Sequence, residues 1–222
     1  MFFVSLLLLG KVATGYVNDY AEIISPAVET KLETRLESFT ASTGNELAVV
    51  TLKSLEGDTV ENTAVALFEQ WGIGQKDKDN GVLLLVVPNE RELKIEVGYS
   101  LEPVLTDSRA GTIIRDVITP KFKENDYDSG ITDGAEAIIA VLAGQEIAQS
   151  AGTNNYDGGR VVLIIFIMVI TFIWLMRRRV RQGLPGSRKS SWGGWSSGKS
   201  NRSSFGGFSG GSSGGGGASG RW

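Results

Sequence analysis

The chain has 222 residues, contains neither cysteine nor histidine, and carries a formal net charge of −3. Without cysteine it can form no disulfide, thiolate nucleophile or zinc–cysteine site, and without histidine it lacks the commonest general base and transition-metal ligand. Any catalysis would therefore use carboxylates, hydroxyls, amides, lysine or arginine. Any bound metal would be an oxygen-liganded cation such as calcium or magnesium.

The charge is divided unevenly along the chain. Residues 16–150 contain 24 acidic and 11 basic residues, a balance of −13, whereas residues 160–222 contain ten basic residues and no acidic one. An acidic body repels phosphate groups, so we predict that nucleic acid is not its partner.

The first fifteen residues have the pattern of a secretory signal peptide. Residues 1–9 are apolar and too few to span a bilayer, and the small residues Ala13-Thr14-Gly15 suit cleavage near Gly15. The basic residue that usually precedes such a core is missing, which is typical of a truncated signal. The alternative is a buried strand.

Residues 16–71 predict a helix, a strand and a second helix. Ser25-Pro26 is typical of a helix start, an apolar stripe follows at helical spacing, and Gly44 is typical of a helix end. The apolar residues within Glu46–Leu52 predict a buried strand, and Thr59 predicts the cap of a second helix. The lead-in at residues 16–21 is expected to be irregular.

A β-hairpin follows, and it brings two acidic segments together. The apolar run at residues 82–87 predicts a buried strand, the alternating run at residues 93–97 predicts a half-buried one, and Pro88-Asn89-Glu90 predicts the turn. Antiparallel pairing places residues 98–102 beside residues 77–81. The sequence therefore predicts a site at this end of the sheet.

Two further helices complete the predicted domain. Thr106 is expected to cap a third helix that Pro120 interrupts, and a last helix is expected from about Ser129 to Leu142. Helices before, between and after the strands predict an α/β domain over residues 16–144, with a small mixed sheet and helices on both of its faces.

The candidate site residues are carboxylates that lie in turns. They are Asp79, Glu102 and Asp107, with Asp77 and Asp19 less well placed. Clustered carboxylates take up protons or recruit a cation, which predicts a calcium or magnesium site. In the structural alternative, Asp79 caps a turn, Asp107 lies in the first turn of a helix, and Glu102 is solvated.

The remainder of the chain predicts a membrane anchor and a tail. Residues 145–160 form a polar linker, and residues 161–176 carry no charge and are followed by four arginines within five residues. A helix of this length extends about 24 Å, and snorkelling arginines make up part of the remaining bilayer thickness. We predict a single transmembrane helix in the plasma (inner) membrane, with the domain outside the cytoplasm and the tail inside it.

The basic Gly/Ser-rich tail, residues 177–222, is predicted to be disordered. In this interpretation it is a flexible tether. The alternative is that its spaced aromatic residues make it a contact segment.

Five short motifs resemble those of the TPM domain family. They are Tyr16-Val17-Asn18-Asp19-Tyr20-Ala21, Trp71-Gly72-Ile73-Gly74, Asp79-Asn80-Gly81-Val82-Leu83-Leu84, Gly98-Tyr99-Ser100-Leu101-Glu102 and Leu105-Thr106-Asp107. The whole layout is similar to the bacterial YgcG-like, membrane-anchored branch. Ser100, where the family usually has glycine, and Pro103 depart from the pattern and touch the site loop.

The resemblance implies a three-layer α/β/α sandwich with a Rossmann-like sheet, an extracytoplasmic position and divalent-cation binding at the acidic loops in some members. Plant thylakoid relatives have been described as acid phosphatases in photosystem repair, and an animal relative is an accessory subunit of a receptor channel. Family membership alone does not choose between an enzyme and an interaction module.

Two functions follow as hypotheses. The first is a membrane-tethered module that binds calcium or magnesium and contacts a membrane-protein partner. The second is a metal-assisted acid phosphatase using Asp79, Glu102 and Asp107. The first is favoured because the sequence supplies an ion site without an obvious attacking group.

Overall fold

The computed structural model describes residues 11–145 and 207–222. Its strands are β1 (Val17–Asp19), β2 (Glu46–Thr51), β3 (Gly81–Val87), β4 (Glu92–Gly98) and β5 (Ser213–Arg221). Its helices are α1 (Pro26–Thr43), α2 (Val60–Trp71), α3 (Asp107–Thr112), a π-helical segment (Ile113–Ile118), α4 (Thr119–Lys123) and α5 (Tyr127–Leu142).

The strands form one mixed sheet in the order β1-β2-β3-β4-β5. The first three strands are parallel, and β3, β4 and β5 are antiparallel. The alternation of strand side chains creates two cores. One lies between the sheet and α1, α3, α4 and α5, and the other lies between the sheet and α2. The predicted α/β domain with helices on both faces of a mixed sheet is confirmed.

Local sequence signals explain most of the helix ends. Helix α1 begins directly after Ser25 and ends at Gly44, whose φ of 77° is the left-handed conformation that glycine adopts most readily. The hydroxyl of Thr59 accepts a hydrogen bond from the Asn62 amide at the start of α2, as predicted. Thr106 caps α3 in the same way through the Arg109 amide.

The regular α-helix is interrupted before Pro120, as predicted, but the chain remains helical. The π-helical segment Ile113–Ile118 comes before this proline, and the Thr119 amide donates to the carbonyl of Ile114, five residues back. A proline in a regular α-helix lacks one amide donor and clashes with the carbonyl four residues earlier. The wider π turn changes that spacing, and the helix continues through α4 to Lys123.

Three segments also differ from their predictions. Residues 17–19, expected to be irregular, form strand β1 beside β2 because Val17 pairs with Val49. Strand β4, expected to be half-buried, is buried along all seven residues. The part of the tail that the structure describes, residues 207–222, was predicted to be disordered and instead contains β5, which pairs with β4.

Several predictions fall largely outside the described residues. Residues 1–10 of the predicted signal peptide, the linker after residue 145 and the predicted span at 161–176 are not described. Within residues 11–145 and 207–222, no helix is long and apolar enough to cross a membrane. The described residues 11–15 pack on the domain, since the Lys11 ammonium lies 4.4 Å from the centre of the Tyr20 ring.

Candidate functional site

The predicted meeting of the two acidic loops occurs at the start of β3 and the end of β4. Val82 pairs with Val97, and the Ser100 amide and hydroxyl both donate to the Asp79 carbonyl, at 3.3 and 3.2 Å. Gly98 fits against this same carbonyl, because a Cβ at that position would overlap it. The loops therefore meet through the backbone, at the end of the sheet that the hairpin predicts.

Asn80 holds the first acidic loop in its shape. Its side-chain oxygen accepts the Gln75 amide at 2.8 Å, and its side-chain nitrogen donates to the Gly44 carbonyl at 2.8 Å. Asp77 and Asp79 adopt left-handed conformations, with φ of 67° and 49°, which aspartate tolerates better than most residues. The buried side chain of Asn80 thus fixes the loop that carries the carboxylate of Asp79.

The carboxylates of Asp79, Glu102 and Asp107 form what is called here the acidic rim. Residues 207–222, called here the docking segment, run along it. The Ser212 amide donates to Asp79 Oδ1 at 2.8 Å, and the Gly217 amide donates to Asp107 Oδ1 at 2.8 Å. Gly216 lies against Glu102, since a Cβ at that position would be 2.6 Å from Glu102 Oε1. The three best-placed carboxylates of the sequence prediction therefore all face one extended segment.

The other two predicted site residues are Asp19 and Asp77. Asp19 lies away from the acidic loops, and Asp77 makes no side-chain hydrogen bond or ion pair with the described residues. Asp19 is level with Thr51 at the far end of the sheet, where it accepts the amides of Ile23 and Ile24 and the Thr51 hydroxyl. Asp77 is exposed in the loop before β3. Asp19 consequently belongs to a local structural network and does not join the acidic rim.

The carboxylates do not form a metal cage in the described part of the chain. Among residues 11–145 and 207–222, no three aspartate, glutamate, histidine or cysteine side chains are grouped so that they could hold a metal ion. Asp79 and Asp107 instead receive amides that lie five residues apart in the docking segment. This arrangement does not fit a single calcium or magnesium ion held by all five predicted residues.

Sequence reasoning missed two buried glutamates at this site. Glu46, at the start of β2, accepts the Gly74 amide at 2.8 Å and the Ser209 hydroxyl at 2.7 Å. Glu96, in β4, is fully buried and accepts the Ser213 hydroxyl at 2.6 Å. For Glu46 the available signal was its position at the start of a strand predicted to be buried, because a buried charge needs a partner. The alternating pattern of β4 gave no such signal for Glu96.

The environment of Glu96 is electrostatically unusual. Burial raises the pKa of its carboxyl group, while the Ser213 hydroxyl and the Lys94 ammonium act in the opposite direction. Lys94 Nζ lies 3.3 Å from Glu96 Oε2, and both side chains are almost completely buried. On the neighbouring helix α2, a hydrogen bond from Ser219 is the main cause that lowers the pKa of Glu61.

Comparison with known proteins identifies the domain. The TPM domain family model matches residues 17–141. The N-terminal domain of a P. gingivalis protein shares 34% identity, covers 64% of this chain and 89% of its own, and gives a TM-score of 0.56.

A second solved structure, the BA42 protein of Bizionia argentinensis, shares 22% identity and supports the fold alone. It covers 60% of this chain and 91% of its own, with a TM-score of 0.50. No curated protein matches the chain. Because the family model covers more than half of the sequence, the chain belongs to the TPM domain family.

Proposed function

We propose that this TPM-domain protein is an interaction module that binds extended polypeptide along the edge of β4. The observation that carries the proposal is the pairing of β4 with a nine-residue strand over its whole length, from Glu92 opposite Arg221 to Gly98 opposite Ser213. Strand addition at a sheet edge is a common mode of peptide recognition because main-chain hydrogen bonds supply the affinity.

The acidic rim gives this edge its chemical character. No described ion pair involves Asp79, Glu102 or Asp107, so within residues 11–145 and 207–222 these carboxylates have no lysine or arginine partner. Asp79 and Asp107 accept backbone amides instead. Carboxylates that accept amides favour a strand with few side chains, whose N–H groups can approach them directly.

The membrane-protein partner predicted from the sequence is retained in this proposal, with an extended segment of that partner as the ligand. The membrane span, the extracytoplasmic position and the YgcG-like branch remain predictions. The metal-assisted phosphatase also remains a prediction.

A peptide-binding experiment tests the module. A chain that ends at residue 206 leaves the β4 edge bare, and a fluorescent peptide of residues 207–222 is titrated onto it in EDTA while anisotropy is followed. We expect saturable binding to the shortened chain and much weaker binding to the full chain, which serves as the matched control. Absence of saturable binding to a folded shortened chain would refute the module.

Calcium or magnesium binding is tested separately, as a prediction from the sequence. The predicted site gives a cation-dependent rise in melting temperature that Asp79→Asn removes. Asp133→Asn is the charge-matched control, because Asp133 is exposed on helix α5, away from the rim. Equal shifts in the two variants would remove Asp79 from the set of cation ligands.

A further inference from the structure

We propose that the β4 edge is a site selective for a glycine-rich strand, and that its occupant is this chain's own docking segment. The inference rests on the proposed function and deepens it, because it names the segment that the edge is shaped to bind. Four independent features of the described contacts support it: steric fit, buried polar pairing, charge and aromatic anchoring.

Steric fit selects glycine at two backbone contacts. A Cβ at Gly211 would lie 2.5 Å from the Ile73 carbonyl oxygen, and a Cβ at Gly217 would overlap the Ile95 carbonyl. Gly217 also has a φ of 105°, which other residues rarely adopt. Both obstacles are backbone atoms and cannot move aside as a flexible side chain can. The edge therefore excludes an ordinary strand with side chains at these positions.

The Trp71-Gly72-Ile73-Gly74 motif receives the first part of the segment. The Gly210 amide donates to the Gly72 carbonyl and the Gly211 amide donates to the Gly74 carbonyl, each at 2.6 Å. A Cβ at Gly72 would lie 2.7 Å from the Gly210 Cα. The close approach of two glycine-containing backbones explains why both partners carry glycine here.

Buried and charged groups then fix the register. The Ser213 hydroxyl pairs with the fully buried Glu96, while Arg221 forms an ion pair with Glu92. A one-residue slip would remove Ser213 from Glu96 and leave that carboxylate without its donor, which is costly for a buried charge. These contacts specify one alignment of a low-complexity sequence.

Aromatic side chains anchor both ends of the segment. Phe208 stacks on Trp71, with ring centres 6.3 Å apart, at one end. Trp222 packs edge-on against Phe122, with ring centres 4.7 Å apart, at the other, and its amide donates to the Arg91 carbonyl. Such ring pairs contribute beyond the area that they bury, so the two ends hold the glycine run between them.

Docking has a consequence for membrane topology. A single crossing by residues 161–176 would put residues 177–222 on the opposite side of the bilayer from residues 16–144. A segment on the opposite side could not pair with β4 of the same chain. The docked form therefore requires residues 207–222 and the domain to lie on one side, and it is incompatible with the predicted cytoplasmic tail.

A disulfide trap in the full chain tests this inference. The protein has no cysteine, so an engineered pair is the only possible bridge. Glu92 and Arg221 are directly opposite in the register, and cross-strand neighbours lie within disulfide range. We expect Glu92→Cys/Arg221→Cys to form an intrachain bridge under mild oxidation in EDTA, both in detergent and in native membranes. The mismatched pair Glu92→Cys/Ser212→Cys should not form one.

Two added substitutions test the selectivity for glycine. Gly217→Val should slow bridge formation by more than about tenfold, because the residue acquires both a steric overlap and a strained conformation. Ser212→Ala is the matched control, because it changes an exposed side chain and keeps the amide that donates to Asp79. Neither substitution lies in the domain, so loss of folding of residues 16–144 would not account for the difference.

The outcomes separate this inference from the proposed function. An interchain dimer, a bridge no faster than the mismatched pair, or equal rates with and without Gly217→Val would overturn docking by the chain's own segment. If the free peptide still bound the shortened chain in that case, the interaction module would stand. If the disulfide trap gave the expected result but the free peptide did not bind the shortened chain, the interaction module would be refuted instead.

Discussion

Ser213 offers the sharpest test of the contact between the docking segment and the domain. Its hydroxyl donates to Glu96 Oε1 at 2.6 Å, and both residues are buried. The second oxygen, Oε2, has no hydrogen-bond partner within the described residues, although Lys94 Nζ lies 3.3 Å away. Ser213→Ala would therefore remove the hydroxyl donor from a buried carboxylate.

The expected loss follows from the charge of the acceptor. A hydrogen bond to a charged group contributes about 1.5–3 kcal/mol, and each 1.4 kcal/mol changes an equilibrium constant about tenfold. In the undocked state water can solvate Glu96, so the loss falls mainly on the docked state. The docking equilibrium of Ser213→Ala should consequently fall by about tenfold to about 150-fold.

Hydrogen exchange measures this equilibrium directly. Amides of residues 207–222 that bond to the domain exchange only when the segment opens, so their protection follows the docking free energy. Exchange followed by mass spectrometry should be faster by the factor given above in Ser213→Ala, and unchanged in Ser212→Ala. Equal protection in the two variants would refute the assignment of docking energy to the bond with Glu96.

Three further predictions concern pH, the far end of the sheet and the aromatic anchor. Because burial raises the pKa of Glu96, the docked form binds more protons than the undocked form. After correction for intrinsic exchange, protection of the amides of residues 207–222 should therefore fall as the pH rises from the ordinary pKa of glutamate through the raised pKa of Glu96. Glu96→Gln should flatten this pH profile. Asp19→Asn should lower the free energy of unfolding in urea by about 2 kcal/mol while leaving protection of the segment unchanged, since Asp19 and its hydrogen-bond partners lie beside β1, at the lateral edge of the sheet opposite β5. Trp222→Ala in the labelled peptide should weaken anisotropy-measured binding about fivefold or more by removing the ring contact with Phe122, and unaltered affinity would exclude that contact as an anchor.

Most of the sheet and its helices could be predicted because their apolar residues recur at the spacing of a helix or a strand. The apolar stripe of α1 and its Ser25-Pro26 and Gly44 boundaries indicate a helix, and the structure places it at Pro26–Thr43. The hairpin of β3 and β4 follows from an apolar run, a short turn and an alternating run. These signals are local, so they can be recognised in the sequence without any knowledge of tertiary contacts.

Strand β5 could not be predicted in this way because glycine carries no side-chain pattern. A Gly/Ser-rich run cannot build a hydrophobic core of its own, which is why it predicts disorder. Here the domain supplies the missing order through the backbone edge of β4, while Phe208 and Trp222 supply the apolar contacts. The spaced aromatics were the available clue, and the alternative of a contact segment is the interpretation that fits residues 207–222.

The meeting of the two acidic loops could be predicted, whereas the buried Glu96 beside them could not. The hairpin geometry brings the Asp79 and Glu102 loops to one end of the sheet. Glu96 was assigned to the open face of a half-buried strand, because alternation alone cannot show that α2 and β5 pack around β4. The role of a buried charge therefore depends on elements that are distant in sequence.

The composition of the docking segment also implies that its docking is reversible. Fixing the backbone of one residue costs about 1–2 kcal/mol, and glycine loses more freedom than any other residue. Besides the main-chain pairing with β4, the compensating contacts are few: the Ser213 pair with Glu96, the Arg221 pair with Glu92 and the two aromatic ends. A strand with a large ordering cost and few anchors leaves the edge more readily than one with a regular apolar face. In the interaction module that we propose, a glycine-rich strand of a partner would replace the docking segment at this edge.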